Sequence, residues 1–342
     1  MRPLSVKQMI YLFAAVSIVI ILLVLILTSG PKTIKALKEM KLSFLLLCFS
    51  ITLISALFDV LRVYILAKGV DKSITFLKMF EINLSYIFVS SITPTSSGGE
   101  PVFIFFMTKR GLNLGKATAV ILIRGFLHIF LIGIATPIIV FFHREFIFNK
   151  ALKLVFNYAA IFFSYVVIMM FLTIFKPQIV RKFFKIILIY LGKIRFLRKF
   201  RMKMIKKVDY WVIEFNKGLH LFIQKKIGYL ILSTIFTIFY LLFFYSIAYV
   251  ILLSLNYKIP LLDVIMMQFV LFFLLYFSPT PGGTGIAEGG FYILFSHFVP
   301  NHLMGIYLVL WRFFTLYLWV IFGGIISLRK LGLKQIATFK EG

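Results

Sequence analysis

Residues 9–27 contain no charged side chain. Wound as a helix, an uncharged run of that length matches the ~30 Å hydrocarbon thickness of a bilayer. Comparable runs recur at residues 42–66, 74–92, 117–142, 151–175, 228–255, 261–277 and 303–328, some of them interrupted. A soluble core would alternate with polar faces far more often, and the mean hydropathy is +1.02. The expected fold class is an all-α polytopic membrane protein. Residues 1–342 form one integral membrane domain with about eight transmembrane helices. The first run is too long for a signal peptide, and no small-residue cleavage site clearly follows it.

Two polar, glycine-rich segments interrupt this pattern and match each other. One is Thr93-Pro94-Thr95-Ser96-Ser97-Gly98-Gly99-Glu100. The other is Ser278-Pro279-Thr280-Pro281-Gly282-Gly283-Thr284-Gly285-Ile286-Ala287-Glu288. Each glutamate is followed 24 residues later by an arginine in an apolar run, Glu100 by Arg124 and Glu288 by Arg312. Unpaired backbone groups cannot be left in lipid, so these segments must line a protein-enclosed cavity or face water. The duplication predicts two pseudo-repeats, about 42–142 and about 228–328. Each runs helix, turn, helix, Gly-Pro break, short apolar piece, then a long arginine-bearing helix. The short pieces are residues 101–107 and 289–298. A linker helix at 151–175 and a basic stretch at 176–226 separate the repeats.

The breaks hold the candidate substrate-binding residues: Thr95, Gly98, Gly99, Glu100 and Arg124 in the first repeat, and Pro281, Gly282, Gly283, Thr284, Gly285, Glu288 and Arg312 in the second. Glycine permits unusual backbone angles and close approach, and proline breaks helices. Arginine offers a planar fork suited to phosphate. Two readings stay open. Each glutamate locks its arginine, or the pairs line a polar path and exchange partners with a lipid phosphate. Charges at membrane depth are costly and usually paired or functional. Asp59 and Arg62, at i, i+3, share one helix face and are expected to neutralise each other. They join Glu81 and Asn83 as candidate cavity-lining residues. Tyr276 and Trp311 could add headgroup contacts, although aromatics in such segments more often pack or anchor.

The net charge is +27. In a membrane protein this reports topology and anionic lipid rather than nucleic acid. Residues 176–226 hold 15 Lys/Arg against Asp209 and Glu214. Phe183, Phe184, Ile187, Leu188 and Leu191 recur there at helical spacing among lysines, as in an amphipathic surface helix. If the two short pieces are re-entrant, residues 176–226 fall opposite both chain ends. If they complete a crossing, the chain ends, residues 176–226 and Lys109-Arg110 share one side, and the halves are inverted. The charge rule favours this second counting and makes that side cytoplasmic. Its cost is that Lys32, Lys35, Lys38 and Lys41 lie outside. One cysteine and five histidines without ligand spacing point to no metal and no cofactor. Neither a Walker loop nor a Ser/His/Asp arrangement is present.

The segment Pro281-Gly282-Gly283-Thr284-Gly285 with Glu288, then Arg312 in the following helix, resembles the flippase-like membrane domain of the lysylphosphatidylglycerol synthases, the multiple peptide resistance factors. It is also similar to stand-alone membrane proteins sharing that domain. The likeness covers roughly residues 10–330, and the first break matches it more loosely. The resemblance implies movement of an anionic or aminoacylated phospholipid between leaflets of the cell membrane. In two-domain members a soluble domain transfers lysine to phosphatidylglycerol. This chain ends 14 residues after Leu328, so the synthase domain is expected to be absent. The alternative implied role is the membrane subunit of a lysyltransferase or glycolipid synthase system, with a separate soluble synthase as partner. Pairing into a homodimer is left open.

Overall fold

The computed structural model describes residues 6–71, 74–142, 150–191 and 201–338. The chain ends, Lys72 and part of the basic stretch lie outside the described residues. Every regular element described is helical. In chain order they are α1 (Val6–Thr28), α2 (Pro31–Lys38), α3 (Leu42–Val70), α4 (Phe76–Ile92), α5 (Gly99–Lys109), α6 (Leu114–Phe142), α7 (Lys150–Phe175), α8 (Pro177–Leu191) and α9 (Arg201–Lys225). Then come α10 (Ile227–Ser254), α11 (Leu261–Leu275), α12 (Ile286–Phe295), α13 (Asn301–Arg312) and α14 (Leu318–Thr338). Short 3₁₀ turns at Pro94–Ser96 and Pro281–Gly283 form the two breaks. A π-helical turn, Phe313–Tyr317, joins α13 to α14.

Five stretches are long and apolar enough to cross a membrane: Gln8–Thr28, Leu42–Val70, Leu114–Phe142, Ile227–Ser254 and Asn301–Arg329. Two of the eight expected runs become shorter helices. With 17 residues α4 reaches only ~25 Å, and with 15 residues α11 only ~23 Å. Each instead forms one arm of a hairpin. Arg110, closing α5, pairs at 3.6 Å with Glu81 in the second turn of α4. Lys116 at the start of α6 pairs at 3.8 Å with Asp71 at the end of α3. The mouth of the α4–α5 hairpin therefore lies beside the end of α3. The α11–α12 hairpin opens at the other end of the bundle. There the Tyr257 hydroxyl donates to the Phe298 carbonyl at 2.7 Å, and the Lys41 amide donates to the Ser254 carbonyl at 2.9 Å.

Helices α3 and α10 pack together along their length and run antiparallel. Ser233 donates to the Arg62 carbonyl at 2.9 Å, while Cys48 near the start of α3 reaches Ile247 late in α10. Phe58 stacks on Phe239 and Phe243 between them. Helix α4 packs on α14, and α11 packs on α6. Lipid tails are as apolar as leucine, so such packing depends on close fit rather than on a hydrophobic drive. Gly323 supplies it, because a Cβ there would run into the Leu84 carbonyl of α4. The two 3₁₀ turns touch each other at the centre.

Helix α1 runs antiparallel to α13–α14, with Thr28 near Gly305 and Phe13 against Tyr317. Its start therefore shares an end with the mouth of α4–α5. The amphipathic helix expected near 183–191 is α8, with Leu188 buried and Ile179, Ile186 and Tyr190 exposed. It is tied to α9 by Arg181 and Asp209 at 2.8 Å. In turn α9 lies on the start of α6, where Gly218 meets Ala119.

Candidate functional site

Buried charges gather where α3, α4 and α6 meet near mid-span. Asp59 and Arg62 face the same way, one turn apart, and Arg62 Nε donates to Asp59 Oδ1 at 2.8 Å. A second bond comes from Arg62 Nη2. From α4, Asn83 Nδ2 donates to Asp59 Oδ2 at 2.6 Å. From α6, Arg124 Nη2 reaches Asp59 Oδ1 at 3.3 Å and Asn83 Oδ1 at 3.3 Å. All four residues are at most 7% exposed. The guanidiniums also lie over aromatic rings, Arg62 4.4 Å from the centre of Tyr240 and Arg124 4.3 Å from that of Tyr86. Such cation–π contacts gain strength when desolvated.

This cluster forms one wall of a cavity of about 270 Å³. Glu100, His128 and Tyr276 add to the polar lining, with the Tyr276 hydroxyl 2.5 Å from His128 Nδ1. The expected pairing of Glu100 with Arg124 is not the one found. Arg124 is held by Asp59 and Asn83, and among the described residues Glu100 carries no ion pair. The reason is competition. Asp59 is buried between two guanidiniums and must keep its charge compensated, whereas Glu100 opens on the cavity. Glu81 is a second correction. It stands at the hairpin mouth against Arg110 and is not part of the cavity wall. Asp59, Arg62 and Asn83 line the cavity.

The second break is closed. Arg312 Nε donates to Glu288 Oε1 at 2.7 Å, and its two terminal nitrogens reach the Gly282 and Gly283 carbonyls at 3.3 and 3.4 Å. The remaining carboxylate oxygen, Glu288 Oε2, accepts from the Gly285 amide at 2.6 Å, capping α12. Pro281 opens the 3₁₀ turn, and the Thr284 hydroxyl donates back to the Pro281 carbonyl at 2.8 Å. Gly282 and Gly283 adopt φ of +59° and +68°, and a Cβ on Gly282 would also press on Phe13. In the first break Thr95 and Ser96 take the same left-handed conformation, at +53° and +56°. Thr95 is exposed, with its hydroxyl on the Pro94 carbonyl. Gly98 and Gly99 let α5 lie close to α4, where Cβ atoms would meet Thr93 and Ser90. A chamber of about 220 Å³ between the turns, walled in part by Ser90, Ser91, Gly283 and Arg312, shares Phe244 and Thr315 with the larger cavity.

Sequence reasoning missed Tyr86, His128 and Tyr240. Tyr86 is i+3 from Asn83 and His128 is i+4 from Arg124, so helical spacing puts each on the face of a residue already singled out. Among the described residues no three His, Cys, Asp or Glu lie close enough to hold a metal. The arrangement can offer a polar headgroup a free carboxylate, two guanidiniums and aromatic faces.

No solved structure matches this one. A UPF0104 membrane protein of Archaeoglobus fulgidus is 26% identical over 321 residues, covering 91% of this chain and 93% of its own. Another, of Pyrococcus horikoshii, is 26% identical over 291 residues, covering 81% and 84%. The model of the lysylphosphatidylglycerol synthase TM region matches residues 13–323, a span that holds both breaks and the whole cavity wall. The chain belongs to that family of multi-pass membrane domains.

Proposed function

We propose that the protein moves a phospholipid, anionic or aminoacylated, between the leaflets of the cell membrane. The headgroup occupies the cavity beside Glu100 and Arg124. One observation carries this reading: an unpaired carboxylate faces a cavity at mid-span depth, opposite two buried arginines. A charged headgroup in the bilayer core loses its hydration, and fixed charges and ring faces can replace it. Phosphate meets the guanidiniums, and an amine or hydroxyl of the headgroup meets Glu100.

The two halves act as an inverted repeat. Support comes from the antiparallel α3 and α10 and from hairpins that open at opposite ends. Broken helices meeting at the centre are a frequent transporter plan. The end bearing Lys109, Arg110, α8 and α9 faces the cytoplasm, in keeping with its basic charge.

Native mass spectrometry of the protein in mild detergent tests the site. One phospholipid class should co-purify beyond its share of the membrane and be depleted in Glu100→Gln, a change that breaks no protein ion pair. Bulk lipid, equal in both preparations, would remove the headgroup site.

A further inference from the structure

Asn83 and Gln268 stand 185 positions apart, the same offset that separates Pro94 from Pro279. They occupy equivalent places on α4 and α11, and both are buried, at 1% and 0% exposed. Asn83 uses both ends of its amide, donating to Asp59 and accepting from Arg124. Among the described residues neither Nε2 nor Oε1 of Gln268 has a partner. A buried amide left wholly unpaired is costly and rare in native proteins.

The arginines show the complementary pattern. In the first repeat the arginine sits on the amide and the glutamate is unpaired. In the second it sits on the glutamate and the amide is unpaired. Each repeat thus holds one of two pairings available to an arginine, a glutamate and a side-chain amide. Arg312 also sits where α13 passes into the π-helical turn, a feature absent from α6 at Arg124. Such turns are strained and often mark functional sites.

We propose that Gln268 is the second docking point of Arg312. In the opposite conformation Arg312 leaves Glu288 for Gln268, while Arg124 leaves Asp59 and Asn83 for Glu100. This rests on the reading above that the protein alternates between two states. Phe244 explains the resting preference. It is the counterpart of Asp59 at the same offset, so Arg312 on Gln268 gains no carboxylate there.

Hydrogen–deuterium exchange tests this on the full chain in phosphatidylglycerol nanodiscs, with lipid transfer measured on the same preparations. The readout is exchange across residues 282–288, where the Gly285 amide is held by Glu288, relative to exchange in α3. Gln268→Leu removes the second docking point and should slow that ratio about tenfold, a shift of ~1.4 kcal/mol in the opening equilibrium. Gln268→Met replaces it if the leucine variant does not fold. Gln268→Glu places a carboxylate there and should speed the ratio. A purely structural glutamine would change overall stability and leave the ratio alone. An unchanged ratio in either variant overturns the proposal. Opposite shifts in a protein that moves no lipid would keep the arginine exchange and discard the lipid-transfer reading.

Discussion

Replacing Asp59 by asparagine keeps the side-chain volume and removes the carboxylate that holds two buried guanidiniums. Arg62 and Arg124 are 3% and 7% exposed, so water cannot compensate them. Breaking a buried pair in this way costs about 3–5 kcal/mol. The two arginines differ in what remains. Arg62 keeps the ring of Tyr240, 4.4 Å from its guanidinium. Arg124 already shares a cavity with the unpaired Glu100. Turning to it would recover one charge-assisted bond, worth about 1.5–3 kcal/mol. The single variant should therefore lose only about 1–3 kcal/mol. Glu100→Gln alone should change stability by no more than about 0.5 kcal/mol. The double variant should lose the full ~3–5 kcal/mol, a coupling of about 1.5–3 kcal/mol. Reversible unfolding in mixed micelles, read for all four proteins, measures this. Additive losses would refute the idea that Glu100 stands in reserve for Arg124.

Three further outcomes are expected. Glu288→Gln breaks the 2.7 Å pair to Arg312 and should cost about 3–5 kcal/mol in the same assay; a loss as small as that of Glu100→Gln would contradict the closed second break. Thr95→Gly relieves a β-branched residue at φ +53° and should raise the unfolding free energy by about 1 kcal/mol, whereas a lower stability would show that the threonine side chain is needed. Gly323→Leu forces a side chain against the Leu84 carbonyl and should cost about 1–3 kcal/mol; unchanged stability would mean that α4 and α14 do not pack as described.

The spacing of 24 residues located Glu288 and Arg312 correctly, because the glycine carbonyls and the α12 cap between them fix the pair locally. The same spacing failed for Glu100 and Arg124. Their competitor, Asp59, comes from another helix and is brought in only by tertiary packing. Asp59 and Arg62 were legible because i, i+3 spacing does not depend on the rest of the fold. Glu81 was not, because its place depends on α5 folding back to set Arg110 beside it. The same fold-back explains why residues 74–92 read as a span yet form a shorter hairpin arm. Gln268 could have been found by applying the proline offset to Asn83. The π-helical turn after Arg312 has no signal in the sequence.

The most direct measurement is leaflet transfer of labelled phosphatidylglycerol and its lysyl ester in proteoliposomes. Wild type should move at least one of them faster than protein-free vesicles. Glu100→Gln, folded and inserted equally, should slow it about tenfold or more, as expected for a lost charge-assisted bond to the headgroup. Equal rates in wild type and Glu100→Gln, or no transfer of either lipid by wild type, would contradict a headgroup path through this cavity.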